Sequence, residues 1–548
     1  MTTIAEWIRA RAHDDGTALL FEDSRWSWRE LAGEAAARAA LLRAAGPTDP
    51  PHVGVLLENV PDFVFWLAAA ALSRSVVVGI NPTRRGAELE RDIRATDCRW
   101  IATDRQHHAL LDGLELGIPE QRILVIDDER HGALLAAHRG APLPAQVAEP
   151  SDLLMLFFTS GTTGSPKAVR CGQGRLASAG AHLAAGFGIA GGVVYQAMPM
   201  FHSNALMAGW APALAAGAPM ALRRRFSASG WLPDVRRYGA TYFNYVGKPL
   251  AYLLATPERP DDADNPLQIG FGNEANPSDI AAFEKRFGCR IVDSYGSSEG
   301  GATLGRTPET PPNALGRVSE DLRILDPETC AECPPARFDA QGRLLNALEA
   351  IGQIASRSGL RSFEGYYKNP EAEAERVHDG WYWSGDLAYR DAQGFVTFAG
   401  RGHDWLRVDG ENFAAAPLEA ILLRHPDVML AAVYAVPDPQ VGDQVMACVQ
   451  LRPGAGDLEG LDAFVRSQPD LGTKQLPRFL RVTPAMPVTE TSKLQKLRLR
   501  AERWECADPV FWRPDPRGPL VPLGEADRAR IRRDFEAHGR GHVLGLGA

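Results

Sequence analysis

No stretch of this sequence is apolar for long enough to cross a bilayer. The longest candidate, Phe63 to Ile80, is interrupted by Ser73-Arg74-Ser75 and falls short of the roughly 20 uninterrupted apolar residues a span needs. Met1 to Arg9 has no apolar core behind a basic start, so no secretory leader is expected. Cysteine is scarce, with seven residues in 548. An odd number so thinly spread fits a reducing cytoplasm better than a disulfide framework. The single C-x-x-C, Cys330-Ala331-Glu332-Cys333, runs into Pro334-Pro335 with no second pair or nearby His, and reads as loop rather than metal site. Lys and Arg total 59 against 68 Asp and Glu, a net charge of −9, and no Lys/Arg block forms a basic stripe. Nucleic acid is therefore not expected as a main partner.

What is present is an ordinary globular balance, 45% hydrophobic and 23% charged, in a chain long enough for three or more packed units at roughly 100–200 residues each. Helical and strand-like patterns alternate. Helices are expected at Trp28 to Ala45, Asp62 to Leu72 and Glu88 to Ala95, with strands at His52 to Leu57, Ser75 to Ile80, Trp100 to Ala102 and Ile123 to Ile126. Strands separated by helices argue for parallel sheets covered by helices. Between about 305 and 345 Pro, Gly and acidic residues thicken and the rhythm fades, as in a mostly β subdomain. From about 404 to 505 an α+β pattern follows, with a helix at Leu418 to Arg424 and strands at Ala431 to Val436 and Met446 to Leu451. No internal repeat is visible.

Three loops carry residues suited to chemistry. In the first, the apolar strand Leu153 to Phe158 enters Thr159-Ser160-Gly161-Thr162-Thr163-Gly164-Ser165-Pro166-Lys167. Glycines that turn N–H groups inward, hydroxyls and an ammonium make a nest for phosphates. It is not a Walker A loop, because Pro166 stands where the second glycine belongs.

In the second, Gly270-Phe271-Gly272-Asn273-Glu274-Ala275 matches the dinucleotide fingerprint, with Asp293 about 20 residues on. That site needs a helix starting among the glycines, facing the pyrophosphate. Here Asn276-Pro277-Ser278-Asp279 places the cap at Asn276 and proline at the first helical position, so the helix starts too late.

The third, Tyr295-Gly296-Ser297-Ser298-Glu299-Gly300-Gly301, contains the hydrolase elbow G-x-S-x-G. The elbow requires a helix directly behind the serine. Gly301-Ala302-Thr303-Leu304-Gly305 leading to Pro308, Pro311 and Pro312 cannot supply it. Glu299 in this turn reads better as a carboxylate held near a metal–phosphate group.

Together with four further segments, these loops resemble the adenylate-forming superfamily of acyl-CoA synthetases, luciferases and peptide-synthetase adenylation domains, over essentially the whole chain. Those segments are Pro199-Met200-Phe201-His202-Ser203-Asn204; Tyr366 with Asn369-Pro370 and Trp381-Tyr382-Trp383-Ser384-Gly385-Asp386; Gly400-Arg401-Gly402-His403-Asp404-Trp405-Leu406-Arg407 with Gly410-Glu411-Asn412; and Thr491-Ser492-Lys493-Leu494-Gln495-Lys496. Gly272-Asn273, Gly410-Glu411-Asn412-Phe413, the Thr491 to Lys496 run, and the tail Asp508-Pro509-Val510-Phe511 with Val521-Pro522-Leu523 are similar to the fatty-acid transport and very-long-chain acyl-CoA synthetase branch.

The resemblance implies an α/β fold. A large domain, 1–402, would hold helix-covered, mostly parallel sheets and a β-rich subdomain at about 305–400. A small mobile α+β domain, 403–506, and an extension, 507–548, would follow. It implies ATP and coenzyme A as co-substrates, Mg²⁺ as cofactor, a hydrophobic monocarboxylic acid as the acyl donor, no transmembrane segment, and room for a homodimer. Lys493, Glu299, His202 and Thr163 would act in catalysis, Glu299 as the Mg²⁺ ligand. Thr159, Ser160, Gly161, Thr162, Thr163, Gly164 and Lys167 would cradle the phosphates. Asn273, Glu274, Asp293, Ser294, Tyr295, Gly296, Ser297, Ser298, Asp386, Phe398, Arg401 and Lys493 would bind the rest of the nucleotide, Asp386 at the ribose and Tyr295 against adenine. Phe201, His202, Asn204, Tyr242, Phe243, Tyr245, Val246, Gly247, Phe271, Gly272, Gly300 and Gly301 would wall the acyl pocket, the glycines leaving room for a bulky acid. His403, Arg407, Gly410 and Glu411 would serve the hinge and the coenzyme A side. His403 departs from the family, where Asp or Lys is usual at the pivot. A stand-alone module feeding a carrier protein, a luciferase-like oxidase and a non-catalytic homologue remain alternatives.

Overall fold

The computed structural model describes residues 2–44, 51–159, 166–342, 344–401, 405–408, 411–440, 442–455, 458–472, 474–489 and 494–544, with backbone only at Arg401, Trp405, Arg407, Glu411 and Asn412. Two helix-covered sheets form its first part. Among the described residues one sheet has the strand order Arg290–Asp293, Ile269–Asn273, Tyr242–Val246, Val194–Gln196, Met220–Leu222, Thr17–Phe21, Ser24–Ser27, parallel except for the last pair. The other runs Ile123–Val125, Cys98–Thr103, His52–Leu56, Val76–Gly79, Leu153–Thr159, Lys167–Gly172, again parallel up to a final antiparallel pair.

The apolar run that falls short of a membrane span is resolved into two buried elements. Pro61–Ser73 is a helix apolar on every side, and Phe63 through Leu72 are all buried, as an all-round hydrophobic helix requires. It stops at Arg74 in the left-handed region (φ 59°) and gives way to the strand Val76–Gly79. This strand lies inside a parallel sheet, which explains its unbroken hydrophobicity. No helix among the described residues is long and apolar enough to cross a membrane.

The expected cap at Asn276 is present. The helix is Pro277–Phe287, and the Asn276 side chain accepts from Ser278 N–H at 3.1 Å. Gly270 and Gly272 belong to the preceding strand, so the dinucleotide geometry is absent. Behind Ser298 there is likewise no helix; Tyr295–Gly296 pairs with Thr303–Leu304 as a short antiparallel ribbon.

The β-rich part is an antiparallel sheet ordered Gly316–Arg317, Phe395–Arg401, Trp381–Arg390, Gly352–Ser356, Leu322–Leu325. The C-terminal part has the sheet Val428–Pro437, Asp443–Leu451, Phe479–Val482, Val510–Trp512, Val521–Pro522. Residues after Ala507 thus extend this sheet. Buried Arg481 ties them in, donating to Asp508 and Glu502, both at 2.7 Å.

Candidate active site

A cleft of about 3140 Å³ opens at the carboxyl ends of the large parallel sheet, where Val246, Asn273 and Asp293 terminate their strands, and is bounded on the far side by Phe413, Glu419 and Lys496 of the C-terminal part. The carboxyl edge of a doubly wound sheet is the usual ligand position, because loops diverge there.

One end of the cleft is polar. The strands Trp381–Arg390 and Phe395–Arg401 set Asp386 opposite Arg401 in register. Asp386 is 8% exposed and accepts from the Tyr295 hydroxyl at 2.7 Å. Burial, then the charge of Asp386, push that hydroxyl far above its ordinary titration range, so it stays a donor. Asn273 Nδ2 donates to Ser294 O at 2.6 Å, joining two strand ends. The Ser203 and Ser298 hydroxyls meet at 2.7 Å, and Arg175 Nη2 donates to Ser298 O at 2.6 Å. Glu299 Oε1 accepts from the Tyr366 hydroxyl at 3.1 Å.

Asp293 accepts from the Tyr245 hydroxyl at 2.8 Å and Ala275 N–H at 3.0 Å, yet burial dominates and raises its carboxyl to about 7. The folded state therefore holds this proton where the unfolded chain, near 3.9, has already released it. Stability contributed by Asp293 is complete at low pH, declines as pH rises toward about 7, and is flat above. Asp293→Asn should remove that decline. Melting of both proteins from about pH 5 to pH 8 checks it, because the gap between their Tm values should widen in favour of the variant.

The other end is apolar. Phe201 and His202 lie with ring centroids 4.4 Å apart, and Phe187 and Phe271 5.3 Å apart; Met207 and Val246 complete the wall. Residues Ala205–Trp210 form a π-helix, a rare geometry frequent at functional sites. The Tyr242 hydroxyl donates to Ala208 O at 2.8 Å. Asn204 lines the cleft and accepts from Asn244 at 2.7 Å. Gly79 brings its strand against the backbone of Phe201, where a Cβ would stand 3.0 Å from Cα and O.

The cleft gathers Thr159, Phe201, His202, Asn204, Val246, Phe271, Asn273, Glu274, Asp293, Ser294, Tyr295, Gly296, Ser297, Ser298, Glu299, Gly300, Asp386 and Phe398 of the expected set. Ser160, Gly161, Thr162, Thr163, Gly164, His403, Gly410 and Lys493 lie outside the described residues, and Arg401, Arg407 and Glu411 are given as backbone only.

Several expectations need correction. Phe243 and Tyr245 do not line the cleft. On a strand, alternate residues face opposite sides, and these two point into an aromatic cluster with Trp231, 5.2 Å from Phe243, and Phe283, 5.8 Å from it. Tyr242 supports the π-helix from behind. The glycines do not hollow out a pocket either. A Cβ at Gly272 would strike the Tyr245 carbonyl, and one at Gly301 the Tyr382 ring, while Gly300 (φ +71°) lies against the Arg175 guanidinium. Gly247 takes a left-handed turn at φ 74° and is outside the lining. Lys167 turns away from the cleft, pairing with Glu375 at 3.1 Å and resting over the Tyr366 ring at 5.3 Å.

Replacing Phe243, 2% exposed, by alanine should cost about 3–5 kcal/mol of stability and leave the choice of acid unchanged. Denaturant melting and an acid panel test the two halves.

Residues that motif reading passed over include Arg175, Arg376, Phe187 and Met207, all on the cleft wall. None sits in a motif that marks it.

The AMP-binding enzyme model matches residues 7–351, and the AMP-binding enzyme C-terminal domain model matches 417–493. The chain belongs to the AMP-binding, adenylate-forming family of acid–CoA ligases. It is 50% identical to a steroid-22-oyl-CoA synthetase of Rhodococcus jostii, covering 99% of both chains. It is 49% identical to the medium/long-chain-fatty-acid–CoA ligase FadD17 of Mycobacterium marinum, over 93% of this chain and 98% of that one. The human long-chain fatty acid transport protein 1 is 28% identical over 92% and 83%, in keeping with the branch that the motifs resemble. Among solved structures, the anthranilate CoA ligase AuaEII superposes with a TM-score of 0.77 at 20% identity, covering 91% and 97%, a likeness of fold.

Proposed function

We propose that the protein is an ATP-dependent carboxylic acid–CoA ligase for a bulky hydrophobic monocarboxylate, the side-chain acid of a steroid or a similar polycyclic acid. One observation carries the reading: a single cleft joins an apolar wall of Phe187, Phe201, Met207, Val246 and Phe271 to a polar end holding Glu299, Tyr295 and Asp386. The acyl class is supported by the half-identical steroid-22-oyl-CoA synthetase. A medium- or long-chain fatty acid is the second reading, favoured by the nearly equal identity to FadD17.

The acid's carboxylate oxygen attacks the α-phosphorus of ATP and pyrophosphate leaves. The coenzyme A thiolate then attacks the acyl carbonyl and AMP leaves. The barrier in the first step is an anion approaching a polyanion, which oriented donors lower most in a desolvated site. Thr159 and its loop, including Thr163, would hold phosphates. Asp386 would accept from the ribose hydroxyls, with Arg401 assisting, and Tyr295, fixed by Asp386, would lie against adenine. Lys493 would bridge the carboxylate and α-phosphate. His202 beside Phe201 would stand at the mouth of the acyl channel.

The donor set fits Mg²⁺. That ion takes one or two carboxylates plus phosphate oxygens and water rather than an all-protein cage, and no cluster of three His, Cys, Asp or Glu suited to a metal occurs among the described residues. Glu299 would hold it. When bound, Mg²⁺ neutralises charge on the transferring phosphates. Rotation of the small domain about His403 would bring Arg407, Gly410 and Glu411 to the thioester site, and the protein would work in the cytoplasm.

Thioester formation across steroid, aryl, fatty and amino acids tests the proposal. Turnover should be fastest with a polycyclic side-chain acid. Activation of amino acids alone, or no pyrophosphate exchange with any acid, would overturn it.

A further inference from the structure

The C-terminal part meets the helices beside the large parallel sheet through an apolar contact and a charged one. In the first, Ala251 of the helix Pro249–Leu254, 2% exposed, belongs to the C-terminal cluster of Met429, Leu430 and Trp504, with Tyr252 and Ala255 packed against it. In the second, Asp279, in the first turn of the helix Pro277–Phe287, is 7% exposed and accepts from Arg452 Nη2 at 3.4 Å. Arg452 directly follows the strand Asp443–Leu451 and is fixed within its own part: its N–H donates to Asp427 O at 2.8 Å and its Nε to Pro426 O at 3.1 Å. An apolar contact tolerates sliding, whereas a charge pair sets register. Burial raises the Asp279 carboxyl above its ordinary value, and Arg452, then Lys248, act against that rise. Lys248 precedes the helix Pro249–Leu254, so of these two cations Arg452 is the one that joins the parts.

The strand that ends beside Arg452 also holds the terminal lysine motif. Gln450 Oε1 accepts from Met486 N–H at 2.8 Å. Gln495 N–H donates to Pro487 O at 2.9 Å, its Nε2 donates to Val488 O at 2.9 Å, and Val488 pairs with Leu494. Val488, Thr489, Leu494 and Gln495 all border the cleft. The two flanks of Lys493 are therefore pinned together at the cleft and tied to the strand that Arg452 anchors.

We propose that Asp279 and Arg452 are positioning residues for the adenylation half-reaction: their ion pair sets the register of the C-terminal part on the helices beside the cleft, and so presents Lys493 to the reacting atoms. The inference rests on Lys493 acting in that half-reaction. Thioester formation, which follows rotation of the small domain, does not need the pair. Rotation breaks it and returns Asp279 to water, which solvates a carboxylate well.

The test follows hydrogen–deuterium exchange of the full-length enzyme with α,β-methylene-ATP and Mg²⁺, read at residues 250–255, together with the two half-reactions. Arg452→Met strands the buried carboxylate, and should speed exchange at 250–255 and lower acid-dependent pyrophosphate exchange, each about fivefold or more. Thioester formation from a supplied acyl adenylate should stay near the unaltered rate. Arg452→Glu sets two anions together and should act more strongly, and adding Asp279→Asn to it should recover most of the loss. That recovery separates a charge pair from mere packing, and it decides the matter if Arg452→Met does not fold. Arg452→Lys keeps the charge and should lose less. Protection of the strand Tyr242–Val246 should be the same in every variant. Unchanged exchange at 250–255 in Arg452→Glu, no recovery on adding Asp279→Asn, or equal loss in both half-reactions would overturn the proposal. Faster exchange at 250–255 with pyrophosphate exchange unaltered would also overturn it, while leaving the ligase reading intact. Absence of pyrophosphate exchange with every acid in the unaltered enzyme would instead remove that reading, and the place of the pair in adenylation with it.

Discussion

Lys493→Ala should lower acid-dependent ATP–pyrophosphate exchange on the order of a thousandfold, while thioester formation from a supplied acyl adenylate stays near the wild-type rate. The asymmetry follows from where the charge is needed. In the first half-reaction a carboxylate must come within bonding distance of a phosphorus surrounded by anionic oxygens. An ammonium touching both is worth most as the new bond forms, and removal of one such preorganised donor typically costs about 10²–10³ in rate. In the second half-reaction a thiolate meets a neutral acyl carbon, and Lys493 has no charge to bridge. Measuring the two halves separately is the decisive experiment. Equal loss in both would contradict the assignment.

Asp386→Ala should raise the KM for ATP by a hundredfold or more with little change in the KM for acid. A buried carboxylate accepting from two ribose hydroxyls makes two charge-assisted hydrogen bonds, each worth about 1.5–3 kcal/mol. Their joint loss, about 3–6 kcal/mol, corresponds to roughly a hundredfold to ten-thousandfold in affinity. The substitution also strands the Tyr295 hydroxyl, which donates to Asp386 at 2.7 Å, so adenine packing should loosen too. Asp386→Asn keeps one acceptor and should lose less. An unchanged KM for ATP in the alanine variant would place the ribose elsewhere.

Elements whose signals are local were legible. The Asn276–Pro277 cap placed a helix start to the residue and removed the dinucleotide alternative. The helix expected at Trp28 to Ala45 runs Trp28–Ala44. The strand expected at His52 to Leu57 runs His52–Leu56, because an apolar core bounded by turn residues needs no distant partner to be recognised. The strand Tyr242–Val246 was not legible in the same way. All five residues are buried, so no polar alternation tells which side faces the cleft, and Phe243 and Tyr245 were placed on the wrong one. The glycines misled for a related reason. A missing side chain marks close approach, but not whether substrate or protein approaches, and at Gly272 and Gly301 it is protein.

By itself, the sequence determined the class of chemistry, because its ordered motifs resemble those of the adenylate-forming superfamily and that resemblance implies acyl-adenylate formation. Only the tertiary structure decided which charges meet. Lys167 finds Glu375 across 208 positions, and the Tyr366 hydroxyl donates to Glu299 at 3.1 Å across 67. Electrostatic attraction acts through space at a few ångströms, and separation along the chain carries no record of it.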